Sequence, residues 1–219
     1  MNIIDLTHAM EKGMPCFHAD WHTAFSSETL GTIESVGRNT KKLTLGSHTG
    51  THMDAPKHFI SDGITIPEIP LSTLFGDVTL IDLRSLADDT EVTIEMLHGI
   101  PLHERVICVF GWDKHWTTGD YYAKYPYFSE EAAQYLVDSG VKLLGLDTPS
   151  PDNSKTPLHA ENDSVIHKLF LKNGVILVEY LAASKITDYT AEYQIAALPM
   201  KIKDSDGAPA RVLLIEKEK

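Results

Sequence analysis

Eight short apolar runs punctuate the chain: NIIDLT (2–7), KKLTLGS (41–47), VTLIDL (78–83), RVICVFG (105–111), VKLLGLD (141–147), VILVEYL (175–181), YQIAALPMKI (193–202) and RVLLIE (211–216). They are rich in Val, Ile and Leu and bounded by Gly, Pro or Asp, a pattern that reads as strands. Helices fit between some of them. SEEAAQYLVDSG (129–140) has a serine cap at Ser129, apolar residues at helical spacing and a terminating Gly140. DSVIHKLFLKNG (163–174) offers Asp163 or Ser164 as cap and Gly174 as stop, and TIEMLHGI (93–100) is a shorter candidate. The alternation of helix and strand from 93 to 181 predicts an α/β fold with a mixed sheet, while the opening 75 residues and the closing strands read as more β-rich. A chain of 219 residues without repeat or linker is expected to form one domain, 1–219, with a substantial core.

The formal net charge of −12 argues against a nucleic acid or an anionic membrane as partner. Runs such as VICVF are too short to span a bilayer, and the opening MNIIDLTHAM lacks the basic and apolar regions of a secretory signal, so a cytoplasmic protein is expected. Cys16 and Cys108 are too few for a disulfide framework or a thiolate zinc cluster. Cys108 reads as a small core residue and Cys16 as a bystander.

Ligand-type side chains crowd into SHTGTHMDAPKHF (47–59), where His48, His52, Asp54 and His58 fall within eleven residues. Thr49, Gly50 and Thr51 favour extended or turning backbone, so a helix carrying two histidines one turn apart is a poor reading. In a strand, His48, His52 and Asp54 share a face because their spacings are even. A straight strand would hold the two histidine Cα atoms roughly 13 Å apart, near the limit for two imidazoles on one ion. Gly50 permits the bend that would bring them together. The alternative is a solvated polar loop, which would suit one histidine better than three.

Glu179 lies inside VILVEYL, where an unpaired carboxylate would cost several kcal/mol. Either the strand is an edge, or Glu179 pairs with Arg84, Arg105 or a lysine, or a divalent cation neutralises it. His167, 12 residues earlier, could reach the same point across the Gly174 turn; alone it would read as a histidine at a helix boundary.

The stretch HTGTHMDAPKHF closely resembles the HxGTHxDxPxH signature of the metal-dependent cyclase family, which includes bacterial kynurenine formamidase and isatin hydrolase. GLDTPSPD (145–152), the His–x11–Glu pair of HKLFLKNGVILVEYL (167–181), FGWDKHW (110–116) and ALPMKIKDSDGAPARVLLIE (197–216) extend the likeness over nearly the whole chain. The resemblance implies a swivelling β/β/α fold in a homodimer or homotetramer. It implies that His48, His52 and Asp54 bind a first metal, that Asp54 and Glu179 bridge to a second ion also bound by His167, and that His58 is the general acid–base. Nitrogen and oxygen donors without thiolates suit Zn²⁺, one or two ions per subunit, with Mn²⁺ as the alternative.

The function implied is hydrolysis of a small aromatic amide, as in N-formyl-L-kynurenine giving L-kynurenine and formate. The alternatives are a cyclase, lactonase or dehydratase of the same family, or a metal-binding protein without catalysis. At the substrate end the chain reads MPCFHAD (14–20) where kynurenine formamidases resemble MPVWPGD, so Phe17 stands in place of a substrate-contacting tryptophan and His18 in place of a proline. Trp112, His115 and Trp116 read equally as an aromatic pocket or an oligomer interface. Asp147, Thr148 and Ser150 either shape the pocket or cap a loop, and His8, His18, His22, His98, His103 and His159 read as ordinary.

Overall fold

Most of the apolar runs fold into strands that close on themselves. The computed structural model describes residues 2–218. Its strands are β1 (Ile3–Asp5), β2 (Ser26–Gly31), β3 (Thr40–Thr44), β4 (His52–Asp54), β5 (Phe75–Asp82), β6 (Glu91–Val92), β7 (Arg105–Val109), β8 (Tyr127–Phe128), β9 (Leu143–Leu146), β10 (Ile176–Glu179), β11 (Tyr193–Pro199) and β12 (Gly207–Glu216). Its α-helices are α1 (Ile33–Val36), α2 (Leu71–Leu74), α3 (Ile94–Leu97), α4 (Glu130–Asp138) and α5 (Val165–Lys172).

The main sheet runs β1-β12-β11-β5-β7-β9-β10-β4, and β4 pairs back onto the start of β12. Seven strands thereby form a closed barrel, with β1 attached outside the ring. β5, β7, β9 and β10 are mutually parallel and the remaining pairs antiparallel, giving the mixed α/β sheet expected. Parallel strands are covered on both faces and so read as continuous apolar runs. All five residues of β7 are buried accordingly.

Alternate side chains divide between two cores. Met53, Ile107, Val109, Leu143, Ile176 and Val178 fill the barrel. Val106, Cys108, Leu144, Leu146 and Leu177 face outward into a second core with Leu136 of α4 and Phe170 of α5. The side chain of Ser129 caps α4 by accepting from Ala132 N, as its sequence predicts. At α5 the Ser164 side chain makes no cap bond, and Asp152 takes the Ile166 and His167 amides at 2.7 and 3.1 Å instead.

The run at 41–47 supplies a strand as expected: β3 pairs with β2 in a separate two-stranded ribbon, exposed at every β3 position. Two expectations are corrected. β12 begins at Gly207 rather than 211, because Gly207 and Pro209 read as breakers yet lie in register with Asp54 and His52. Trp112 and Trp116 belong neither to a pocket wall nor to a surface patch, being 3% and 7% exposed within the second core. Trp112 Nε1 donates to the Tyr121 carbonyl, and Trp116 stacks under His8 with ring centroids 4.0 Å apart.

Burial of His8 pushes its pKa from 6.5 down to about 4, with Asp113 opposing the shift only in part. The folded state therefore holds His8 neutral while the unfolded chain takes up a proton below about 6.5. The stability from this site is complete above that pH and lost as pH falls towards 4. His8→Gln should flatten the acid-side decline, seen as a smaller drop in urea midpoint between pH 7.5 and 4.5 than in the parent protein.

Candidate metal centre

In the strand HMD, His52 and Asp54 point to one side and Met53 to the other, into the barrel. Antiparallel pairing of β4 with β10 sets Glu179 opposite His52 and Leu177 opposite Asp54, so the two carboxylates share the barrel's outer face. Gly50, at φ 64°, turns the chain before β4 and brings His48 back, with Nδ1 2.7 Å from Asp54 Oδ1. A β-carbon at Gly50 would also lie 3.0 Å from Met14 Cε, a tight contact that the end of the methionine side chain would have to relieve. From the first turn of α5, His167 Nε2 comes to 3.1 Å from Glu179 Oε1 and 3.7 Å from Asp54 Oδ2. His52 Nε2 lies 3.3 Å from Asp54 Oδ1 and 3.5 Å from Glu179 Oε2. Three donor triplets result: His48–His52–Asp54 and Asp54–His167–Glu179, with Asp54 common to both, and His48–His58–Asp206 beside them.

These residues fit a divalent cation. Asp54 and Glu179 are 1% and 3% exposed, and Asp54 Oδ1 and Glu179 Oε1 make no hydrogen bond despite the nearby imidazole nitrogens. The arginine alternative fails: Arg84 pairs with Asp82, and Arg105 is committed to Glu104 and to the carbonyls of Asp77 and Ser72. Each ligand-type imidazole has its outer nitrogen on an acceptor, namely His48 Nε2 on Asp206 Oδ2 (2.8 Å), His52 Nδ1 on the Gly50 carbonyl (2.8 Å) and His167 Nδ1 on Asp152 Oδ2 (2.5 Å). Donation outward leaves a lone pair aimed inward, as in metal-holding histidines. Without a cation the histidines carry the compensating charge. Burial opposes ionisation of His48, yet Asp54 and Asp206 push its pKa up to about 10. Asp54 is correspondingly held well below the usual carboxylate range despite its burial, by His48 and His58.

The centre opens into a cavity of about 660 Å³. His58, at the end of a 3-10 turn (Pro56–His58), lines it and turns Nδ1 to Asp206 Oδ2 at 3.1 Å. Asp206 thus serves His48 and His58 together, and Asp152 serves both His167 and the start of α5. Sequence reasoning missed both aspartates, although each lies inside a stretch that resembles the cyclase family, DSDGAPAR and GLDTPSPD. Phe17 lines the cavity, edge-on to Tyr122 with ring centroids 5.7 Å apart. Tyr122, Tyr125 and Tyr180 add aromatic surface that the sequence did not single out, and His22 and His159, read as ordinary, also line the cavity. Asp147 is a loop cap, fully buried with the Phe110 and Trp112 amides on its carboxylate.

The Cyclase family model matches residues 4–153 of this chain, a span that includes His48, His52, Asp54 and His58. Over 215 residues the chain is 31% identical to kynurenine formamidase of Geobacillus thermodenitrificans, with 96% of each chain covered. It is 29% identical over 214 residues to kynurenine formamidase of Bacillus mycoides, again with 96% of each covered. Among solved structures, isatin hydrolase A from Labrenzia aggregata bound to benzyl benzoate is similar, with a TM-score of 0.88, 26% identity, and coverage of 99% of this chain and 94% of that one.

The outward hydrogen bond of His48 gives a direct test. Asp206→Asn should weaken metal binding about 10- to 100-fold, measured by competition with a chelator. Gly207→Ala should do the same without altering a polar group, since its Cβ would fall 2.7 Å from His48 Cε1.

Proposed function

The chain belongs to the cyclase family, and we propose that it works as a single-domain, metal-dependent hydrolase of a small aromatic amide. In this reading His48, His52, Asp54, His167 and Glu179 hold one or two divalent ions, His58 is the general acid–base and Phe17 is one wall of the substrate pocket. The observation that carries it is the pair of buried carboxylates ringed by three imidazoles whose outer nitrogens are all engaged. The nitrogen and oxygen donor set favours zinc, with manganese as the alternative. When bound, such an ion polarises a carbonyl oxygen and lowers the pKa of a water to about 7.

The chain's own residues supply the rest. Donation from His58 Nδ1 to Asp206 leaves Nε2 to take a proton from the attacking water. The same nitrogen returns that proton to the departing amine as the C–N bond breaks, and Asp206 stabilises the imidazolium between the two transfers. Phe17, Tyr122 and Tyr125 offer ring faces and edges to an aryl group. Relatives named for kynurenine formamide and isatin hydrolysis support an aryl amide, and N-formyl-L-kynurenine is the first substrate to assay. The paired His58 and Asp206 favour catalysis over simple metal storage.

We further propose a cytoplasmic homodimer or homotetramer. The free thiols of Cys16 and Cys108 fit a reducing compartment, and no helix among the described residues is long and apolar enough to cross a membrane. Association is supported by the β2–β3 ribbon, since an isolated two-stranded hairpin is marginal in water and this one exposes Leu30 and Leu43.

Elemental analysis of gently purified protein should find about one to two equivalents of metal per chain, the capacity of a two-ion site. His58→Ala should retain the ions and lose about 10²–10⁴-fold in kcat, whereas Asp54→Ala should lose metal and activity together. Full activity in metal-free protein would refute this reading. For the pocket wall, Phe17→Ala should raise KM for aromatic amides and Phe17→Trp should lower KM for N-formyl-L-kynurenine, with bound metal unchanged in both. An unaltered kcat/KM in Phe17→Ala would place the pocket elsewhere.

A further inference from the structure

The charged side chains that line the cavity are five carboxylates, Asp54, Asp152, Asp163, Glu179 and Asp206, together with histidines; among the described residues no lysine or arginine lines it. Four of the carboxylates have assigned partners. Asp54 and Glu179 face the metal position, Asp206 is shared by His48 and His58, and Asp152 is held by His167. Asp163 accepts from the His159 amide and the Ser164 hydroxyl, both at 2.8 Å, and although burial opposes it, these bonds together with the nearby Lys168 and His159 charges hold its carboxyl below the usual range. Lys168 stands outside the lining, its Nζ 2.5 Å from the Asp163 carbonyl oxygen and 5.8 Å from the centroid of the Phe59 ring. The exposed lining residues, Trp21, Leu158 and His159, are apolar or imidazole, and Trp21 meets His159 edge-on at 5.6 Å.

Recognition of a carboxylate normally uses an Arg fork or an ammonium. A substrate that placed a carboxylate away from its reacting amide would find Asp163, aromatic rings, the neutral side chains of Ser150, Asn153, Ser154 and Thr156, and a chain of net charge −12, with no lysine or arginine among the described lining residues. We infer that the substrate ends, away from its amide, in an uncharged or positively charged group rather than a free carboxylate. This inference rests on the hydrolase reading above and narrows its substrate class to neutral or amine-bearing aryl amides. N-formyl-L-kynurenine carries both an ammonium and a carboxylate, so it satisfies only half of the cavity's preference.

Three probes of one shape separate the terms: 4-methylformanilide, 4-(aminomethyl)formanilide and 4-formamidobenzoate, assayed with zinc-loaded protein. The carboxylate should have a kcat/KM at least about tenfold below the methyl compound, and the amine should equal or exceed it. Calorimetric titration of the same compounds into zinc-loaded His58→Ala protein measures the binding preference without turnover, and the same order is expected. A carboxylate that is turned over or bound as well as the methyl compound overturns the inference and leaves the hydrolase reading in place. Failure to hydrolyse any of the three, with the binding order intact, overturns the hydrolase reading and upholds the charge preference. Failure to hydrolyse with the binding order lost overturns both.

Discussion

Two carboxylates buried beside each other on neighbouring strands are the constraint around which this structure is arranged. Asp54 and Glu179 project from the same face of the β4–β10 pair, and neither finds an arginine. Like charges in that position are tolerable only with cationic compensation and fixed dipoles. The fold brings three imidazoles to them, His48 from the bend before β4, His52 from β4 itself and His167 from the first turn of α5. It then ties each imidazole from behind with an acceptor at Gly50, Asp152 or Asp206. Register matters throughout: a slip of one residue in β4 would present Met53 to the cavity and turn two ligand candidates into the barrel.

The parts legible in the sequence are those whose meaning is local. Three histidines and an aspartate inside one bend are visible as a group, and Glu179 is conspicuous because its neighbours are apolar. Most strands were legible for the same reason, since β7, β9 and β10 are buried on both faces and contain little else but Val, Ile and Leu. β4 was legible only as extended backbone carrying His52 and Asp54 on one face, because three residues with two polar side chains carry no strand signature of their own. Asp206 and Asp152 were hidden differently. An aspartate in a loop is commonplace, and the significance of Asp206 depends on His58, which is 148 residues away in the chain. Trp112 and Trp116 looked available because they follow a strand end, but packing by His8 and Tyr121 across the second core removes them from the surface.

The cavity combines two environments with separate sources. Its polar end comes from barrel strands and from α5, elements anchored by the two cores. Its aromatic walls come from connecting segments, Phe17 from the stretch between β1 and β2 and Tyr122 and Tyr125 from that between β7 and β8. Variation in those segments can change what is bound while leaving the ligand geometry alone.

β12 pairs with β1, β11 and β4, and it carries Asp206 immediately before its first residue. On the ribosome this strand emerges after every other strand of the barrel. The histidine-rich bend therefore leaves the exit tunnel while its partner β10, the helix that supplies His167 and the carboxylate that orients His48 are all still unmade. A nascent chain at that stage can hold an ion only through a loose, open chelate with no discrimination by geometry. Selection of the correct ion thus belongs to the finished barrel, and the order of synthesis makes ion capture a late step in maturation rather than a nucleus for folding.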